Sequence, residues 1–302
     1  MSRHAASQEP HSFMDMFPLP YYCQTHIIFQ KVIKSSITIS LVEEAKGGPF
    51  VFWDGWEASC RTAKELGFDS VELFAPSAEV IKSLPIKETL TELDLSLSAV
   101  GTGGGWVKNK WQLCDSDPQK REHSIDFIKG IIEAGSVYGA PAILGSMQGR
   151  WDTVVPKPVA LEYLTAALKE LGKFAQECGT CFLYEPLNRY ETNLFNTTGS
   201  AIEFLKQNGI ENVKLLCDLF HMNIEETNVA QALEDAKEFV GHVHFVDSNR
   251  KATGLGHTDF LPIGAALKKI GYSGYASAEA FPVPDSKTAA KKTIEAFRTY
   301  LK

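Results

Sequence analysis

Glu185, Asp218, His244 and Glu279 carry the chain's clearest capacity for chemistry. They lie in the segments YEPLNRYE (184–191), CDLFHMNIEE (217–226), HVHFVDSNR (242–250) and AEAFP (278–282), at intervals of 33, 26 and 35 residues. Each stands at or near the C-terminal end of a short apolar run. Three carboxylates converging on a small apolar cavity repel one another unless a cation neutralises them. Three oxygen donors and one imidazole suit Mn²⁺, Mg²⁺ or Co²⁺; zinc, which favours sulfur and nitrogen, fits less well. The expected cofactor is therefore one divalent metal ion. Taken singly, each residue has a plain reading, as a strand-end carboxylate capping the next helix or as a satisfied core histidine. Recurrence at four successive apolar runs is what favours a shared site. Glu191, His221 and Arg250 follow three of the four by six, three and six residues, which sets them on loops above the site. Asp247 and Asn249 read as residues that shape the last of these loops.

The elements that must position these residues are legible from residue 36 onward. Apolar runs at 36–41, 70–74, 96–101, 142–146, 181–185, 213–217, 242–246 and 275–279 read as strands, nearly continuous in apolar residues as buried parallel strands should be. Helical periodicity fills the gaps. Ile125, Ile128, Ile131, Ile132 and Gly135 share one face, and Leu161, Leu164, Leu168, Leu171 and Phe174 another. Segments 201–205, 229–239, 265–270 and 288–300 continue the alternation. Eight strand–helix units predict an α/β fold, a single (β/α)₈ TIM barrel over 36–302, with residues 1–35 as an N-terminal extension, disordered or strand-like. In a barrel, chemistry sits at the C-terminal ends of strands, where the four residues fall. The rival doubly wound sheet calls for a phosphate loop after its first strand. GTGGGW (101–106) follows the third strand, puts Trp106 where the last glycine of GxGxxG belongs, and reads as a tight substrate-side loop.

Composition narrows the function classes. Of the 302 residues, 44% are hydrophobic and 22% charged, so the chain is globular and long enough for a large core without staples. The net charge of −7 disfavours a nucleic-acid partner, since phosphate binding calls for a basic surface. No apolar run approaches the ~20 residues of a membrane span, and neither a membrane nor a signal peptide is expected. Six thinly spread cysteines, with Cys178 and Cys181 as a lone CxxC, read as reduced thiols in a cytoplasmic protein. The CxxC is better explained by a helix end meeting a strand start than by a redox or metal pair. A homo-oligomer is compatible with all of this.

At these motifs the chain resembles the sugar phosphate isomerase/epimerase superfamily, the xylose isomerase-like TIM barrels, and most closely the D-tagatose/D-psicose 3-epimerase group. The resemblance runs over about Gly67 to Glu279. It implies that Glu185, Asp218, His244 and Glu279 are metal ligands and that Glu185 and Glu279 are also the catalytic pair. It further implies that Glu191, His221 and Arg250 hold the substrate's hydroxyls and carbonyl end. The implied reaction is proton abstraction and return beside a carbonyl, with a divalent cation stabilising the enediolate, on a small sugar or sugar phosphate. Aldose–ketose or hydroxypyruvate-type isomerisation and metal-dependent lysis of a keto-glycoside are the alternatives. An endonuclease IV-like nuclease ranks last, because the second and third strands end without histidine. GTGGGW and GSMQGRW (145–151) depart from the group, and Arg150 is expected to meet an anionic or strongly polar distal end of the substrate there.

Overall fold

The computed structural model describes residues Val32–Lys302. Most of the expected 1–35 extension, and Cys23, lie outside them. Strand and helix then alternate without interruption. They run β1 (Lys34–Ser40), α1 (Trp56–Leu66), β2 (Ser70–Phe74), α2 (Ala78–Ser83), α3 (Ile86–Leu93), β3 (Ser96–Gly101), α4 (Gly104–Asn109), α5 (Pro118–Ser136), β4 (Ala142–Leu144) and α6 (Lys157–Glu177). β5 (Phe182–Tyr184), α7 (Thr198–Gln207), β6 (Val213–Asp218), α8 (Leu219–Glu225), α9 (Val229–Ala236), β7 (Val240–His244), α10 (Phe260–Lys269), β8 (Tyr275–Ala278) and α11 (Ser286–Tyr300) complete the chain. The strands pair in parallel in sequence order and β8 closes on β1, giving the eight-stranded barrel that the alternation predicts. Each expected strand is present with ends within two residues of expectation.

Two faces of the strands bury different things. Ile37, Ile39, Val71, Leu73, Leu97, Val100, Phe182, Tyr184, Leu215 and Val243 point outward into one continuous core with the helices. The lumen side alternates with these. Ala99, Ile143, Leu183 and Leu216 form a separate small apolar cluster there. The remaining lumen is polar: Ser36, Glu72, Ser98, His242 and Ser277 are all buried. The Ser36 and Ser98 hydroxyls meet at 2.7 Å, although β1 and β3 are not neighbours, which places both inside the barrel. Register shifts occur between Val71 and Leu73 against β3, and between Leu215 and Leu216 against β7. The first lets both Ser98 and Ala99 oppose Glu72, so Leu97 and Val100 both keep the outer face. Bulges of this kind re-aim side chains beside functional sites.

The helices start where polar caps stop the strand-loop geometry. Asp117 caps α5 ahead of Pro118, Thr197 caps α7, and Asp285 caps α11, each accepting a backbone N–H of the first turn. Cys178 closes α6 and Cys181 immediately precedes β5, and both are free thiols, so the CxxC marks a helix–strand junction. The glycine run is packing material. A Cβ on Gly104 would lie 2.7 Å from the Ala75 carbonyl oxygen, and one on Gly105 2.7 Å from Met147 Sδ.

Gly172, inside α6, shows the same closeness: a Cβ there would sit 2.5 Å from the Glu211 carbonyl oxygen ahead of β6. On an open helix Gly→Ala stabilises by about 1 kcal/mol. Here overpacking against backbone should reverse the sign, so Gly172→Ala is expected to lower unfolding stability by about 1–3 kcal/mol. Urea denaturation checks this, and a more stable variant would refute the close contact.

Candidate active site

Strands β5 to β8 deliver Glu185, Asp218, His244 and Glu279 to one point on the C-terminal rim. Outward Tyr184, Cys217, Val243 and Ala278 each precede one of them, so the period of two turns all four inward. His244 Nδ1 lies 3.1 Å from Asp218 Oδ2, 3.8 Å from Glu185 Oε1 and 3.8 Å from Glu279 Oε2. Glu185, Asp218 and His244 are buried, and one donor atom from each lies within 4.8 Å of the others.

Each side chain is aimed by its neighbours. Asp218 Oδ1 accepts the Phe220 and His221 backbone N–H groups at 2.7 and 3.2 Å, capping α8, which leaves Oδ2 for His244. The capping and site readings therefore hold together in one carboxylate. The Glu185 carbonyl accepts Gln148 Nε2–H at 2.9 Å, and Gln148 Oε1 accepts the Tyr184 hydroxyl at 2.7 Å. Gly145 is demanded by close approach: a Cβ there would stand 2.6 Å from Glu185 Oε2.

The electrostatics are those of crowded carboxylates. Burial pushes the Glu185 carboxyl well above the usual carboxylate range; His244 opposes this, and Glu279 and Asp218 add to it. Burial also acts on Asp218, but His221, His244 and Arg250 outweigh it and hold that carboxyl low. Burial would lower the His244 imidazole, yet Glu72, Glu279 and Asp218 raise it well above its ordinary value.

The chain above the rim brings in the remaining expected residues: Glu191 and Arg250 stand on loops as expected, whereas His221 lies in the first turn of α8, which Asp218 caps. His221 Nδ1 lies 3.2 Å from the Asn188 backbone N–H and 2.8 Å from Asn188 Nδ2. A backbone N–H only donates, so Nδ1 is the acceptor and the proton of the neutral ring sits on Nε2. Nε2 is buried without a partner and faces the equally unpartnered Glu185 Oε1 at 3.8 Å. Arg250 donates to Glu279 Oε2 at 2.6 Å and to Glu191 Oε1 at 3.3 Å, and its guanidinium stacks over Phe220. It adopts φ of 58°, a left-handed conformation costly for a non-glycine residue. A knot holds it there. Asp247 accepts backbone N–H groups from Ser248, Gly254 and Thr258, and Arg250 N–H donates to the Asp247 carbonyl. Asn249 bridges Lys251 and Leu255, so both loop-shaping readings agree with the contacts.

A cavity of about 360 Å³ opens over these groups. Glu72, Glu185, Glu191, His244, Arg250 and Glu279 line its polar side, and Phe50, Phe74, Trp106, Val107 and Leu187 its apolar side. Gly101, Thr102, Gly103, Gly145 and Ser146 also line it, so the loops after β3 and β4 do border the site. Arg150 does not. It is exposed and absent from the cavity lining, which corrects the expectation that it meets the substrate's distal end. Gln148 turns inward, Gly149 reverses the chain at φ of 83°, and Trp151 is tied outward to Asn193, so Arg150 is carried out to solvent.

Four contributors escaped the sequence reading: Glu72, His242, Gln148 and Asn188. Glu72 and His242 had a signal. Glu72 breaks the apolar run SVELF in mid-strand, and His242 stands two residues before His244, hence on the same face. Gln148 and Asn188 act through loop contacts that no periodicity reports. The donor set fits a divalent cation on one further ground: Glu185 Oε1 is buried, unpartnered and turned into the cluster.

The His221 geometry is directly testable. Its imidazole is pushed down to about 4, by burial first and then Arg250 and His244, against Asp218. Histidine ¹⁵N NMR at neutral pH should find it as the neutral Nε2–H tautomer. An imidazolium there would contradict the hydrogen-bond pattern.

The profile of the xylose isomerase-like TIM barrel family matches residues 60–300. A D-psicose 3-epimerase of Enterocloster bolteae is 33% identical over 246 residues, 77% of this chain and 80% of that protein. The 3-dehydro-D-guloside 4-epimerase of Escherichia coli is 31% identical over 253 residues, 80% of this chain and 90% of that one. The solved structure of D-psicose 3-epimerase with D-tagatose from Clostridium cellulolyticum H10 superposes with a TM-score of 0.74 at 25% identity, covering 89% of this chain and 100% of that one. Fold, family profile and relatives agree: the chain belongs to the xylose isomerase-like TIM barrel family, among its sugar epimerases.

Proposed function

We propose that the chain is a divalent-metal-dependent ketose 3-epimerase acting on an unphosphorylated sugar. The observation that carries this reading is the convergence of Glu185, Asp218 and Glu279 oxygens on His244 Nδ1 beneath a cavity of sugar size. Those four residues would hold the ion, with Mn²⁺, Mg²⁺ or Co²⁺ preferred. Bound there, it would stabilise negative charge developing on a substrate carbonyl and the adjacent hydroxyl.

The rest is done by the chain's own groups. Glu185 and Glu279 reach the substrate from β5 and β8, three strands apart around the rim. One takes the proton from the carbon beside the carbonyl, and the other returns a proton to the opposite face; reversing the reaction exchanges their roles. His221 Nε2–H, beside Glu185, donates to an oxygen of the substrate. Arg250 holds Glu279 in place and, with Glu191, binds hydroxyls. Phe50, Phe74 and Trp106 cover the C–H faces and exclude water.

Lack of phosphate follows from charge. Among the described residues lining the cavity, Arg250 is the only arginine or lysine, and it is already paired with Glu279 and Glu191. A phosphate would bring about two charges with no free partner. A second reading, epimerisation of an oxidised glycoside, draws on the Escherichia coli relative and on the aromatic end of the cavity, which offers room to a second group.

Incubation of Mn²⁺-loaded protein with free ketoses, ketose phosphates and an oxidised glycoside in D₂O tests these readings together. Deuterium at C3 of a free ketose, with its C3 epimer as product, is expected. Exchange at C1 or C2 with an aldose product would replace epimerisation by isomerisation. Glu185→Gln and Glu279→Gln should each cost at least about 10³-fold in turnover at saturating metal, because an amide cannot exchange the proton. Full activity in either variant contradicts the two-carboxylate reaction. Since the Glu185 carboxyl is raised in the metal-free protein, the ion must displace a proton there. Mn²⁺ affinity should therefore rise with pH above the ordinary carboxylate range; calorimetric titration at a series of pH values checks the sign.

A further inference from the structure

Below the four converging residues, the lumen holds a carboxylate that none of the chemistry above uses. Glu72, in the middle of β2, is buried, and its two oxygens face two imidazoles on β7: Oε2 lies 2.8 Å from His242 Nε2, and Oε1 lies 3.0 Å from His244 Nε2. Those two nitrogens are its only hydrogen-bond partners among the described residues. His244 thus stands between two carboxylates, Glu72 on Nε2 and Asp218 on Nδ1.

As a metal ligand His244 would be a neutral imidazole, with one proton to share between them. With the proton on Nδ1, the Nε2 lone pair would face Glu72 Oε1 at 3.0 Å, two acceptors abutting in a buried lumen with no other donor for that oxygen. Asp218 is better supplied, since its Oδ1 already receives two backbone N–H groups. The proton therefore belongs on Nε2, which turns the Nδ1 lone pair toward Asp218, Glu185 and Glu279.

We propose that Glu72 is a positioning residue for the metal centre: held by His242 through one oxygen, it fixes His244 with the other as the Nε2–H tautomer whose Nδ1 is free to ligate. The proposal rests on the metal reading given above. The same three residues, Glu72, His242 and His244, have donor atoms close enough to hold a cation of their own. Separations of 2.8 and 3.0 Å are those of hydrogen bonds already made, one to each oxygen of the carboxylate. Carboxylates that orient a ligating histidine in this way are worth roughly 10–100-fold in metal affinity. The inward pairing explains why a polar half-lumen is kept where apolar packing would otherwise serve, and why the β3 bulge leaves small Ser98 and Ala99 opposite Glu72.

The test is Mn²⁺ titration of the full chain by calorimetry with chelator competition, together with the visible spectrum of the Co²⁺-loaded form. Wild type should bind one Mn²⁺ per chain. Glu72→Gln, which keeps the shape and an acceptor but removes the charge, should still bind one, roughly 10–100-fold more weakly, with a shifted Co²⁺ spectrum and an unchanged metal-free Tm. Turnover should recover in part at high metal, so the metal saturation curve moves more than KM for sugar. If Glu72→Gln does not fold, His242→Asn, which frees Glu72 without touching His244, should move affinity in the same direction by a smaller factor. Unchanged affinity in whichever variant folds overturns the proposal. Two Mn²⁺ per wild-type chain and one in Glu72→Gln also overturns it, making Glu72 a ligand of a second ion. A wild type that binds no divalent ion brings down the metal reading itself, an outcome distinct from both.

Discussion

The structure is organised by the repulsion among carboxylates forced into one buried place. Glu72, Glu185, Asp218, Glu191 and Glu279 all lie on or beneath one cavity, against His244 and Arg250 as the nearest cationic groups. In a low-dielectric lumen such a cluster is unstable unless every oxygen has a donor or a cation. Much of the local architecture answers that need. Asp218 is neutralised by a helix N-terminus and by His244, Glu279 by Arg250, and Glu72 by two imidazoles. Glu185 alone keeps a buried oxygen without a partner, and its carboxyl is the one driven furthest toward the neutral form. The unmet demand falls where a divalent ion would be held.

Rigidity and adjustability are divided between strands and loops. The four converging residues stand on or directly after parallel strands whose hydrogen bonds and outer packing leave them little freedom. The groups around them are set on loops or, for His221, on the first turn of α8, each tied by its own hydrogen bonds: Asn188 for His221, Asp247 for Arg250, Gln148 for the turn beside Glu185. Arg250 is the costliest of these, a left-handed arginine, and the Asp247 knot is correspondingly dense in backbone donors. Such strain persists only where surrounding contacts over-determine it. The expectation is a site in which the reacting groups are fixed and the binding groups are held by replaceable ties.

Glycine has a part in this that a motif search misreads. The GTGGGW run is rich in glycine because α4 packs onto the backbone of the β2 loop and onto Met147, with no phosphate cradle involved. Gly145 serves the site itself, by leaving room for the Glu185 carboxylate. The aromatic wall of Phe50 and Phe74, stacked at 4.3 Å, packs against Gly101 and Gly103, where a Cβ would lie 2.7 and 2.8 Å from the Phe74 ring. Shape on the apolar side and charge on the polar side are thus set by neighbouring stretches of chain.

The barrel and the four-residue rim were legible in the chain alone, because both are written in short-range regularities. A period of two along each apolar run fixes which residues share the lumen, and a carboxylate or histidine at the end of four successive runs can only gather at one rim once the sheet closes. The same rule reached Glu191, His221 and Arg250, which follow at fixed short offsets. It did not reach Glu72 or Arg150. Whether Glu72 meets His242 and His244 depends on β2 lying across the lumen from β7, a distance of 170 and 172 residues along the chain, and on a bulge that sequence does not announce. Arg150 looked like a rim cation by its count from Gly145, but one reversed turn at Gly149 and the anchoring of Trp151 send it to solvent. Periodicity tells which face of a strand a side chain occupies; only closure of the barrel decides what stands opposite it, and only the hydrogen bonds of a loop decide which way its residues face.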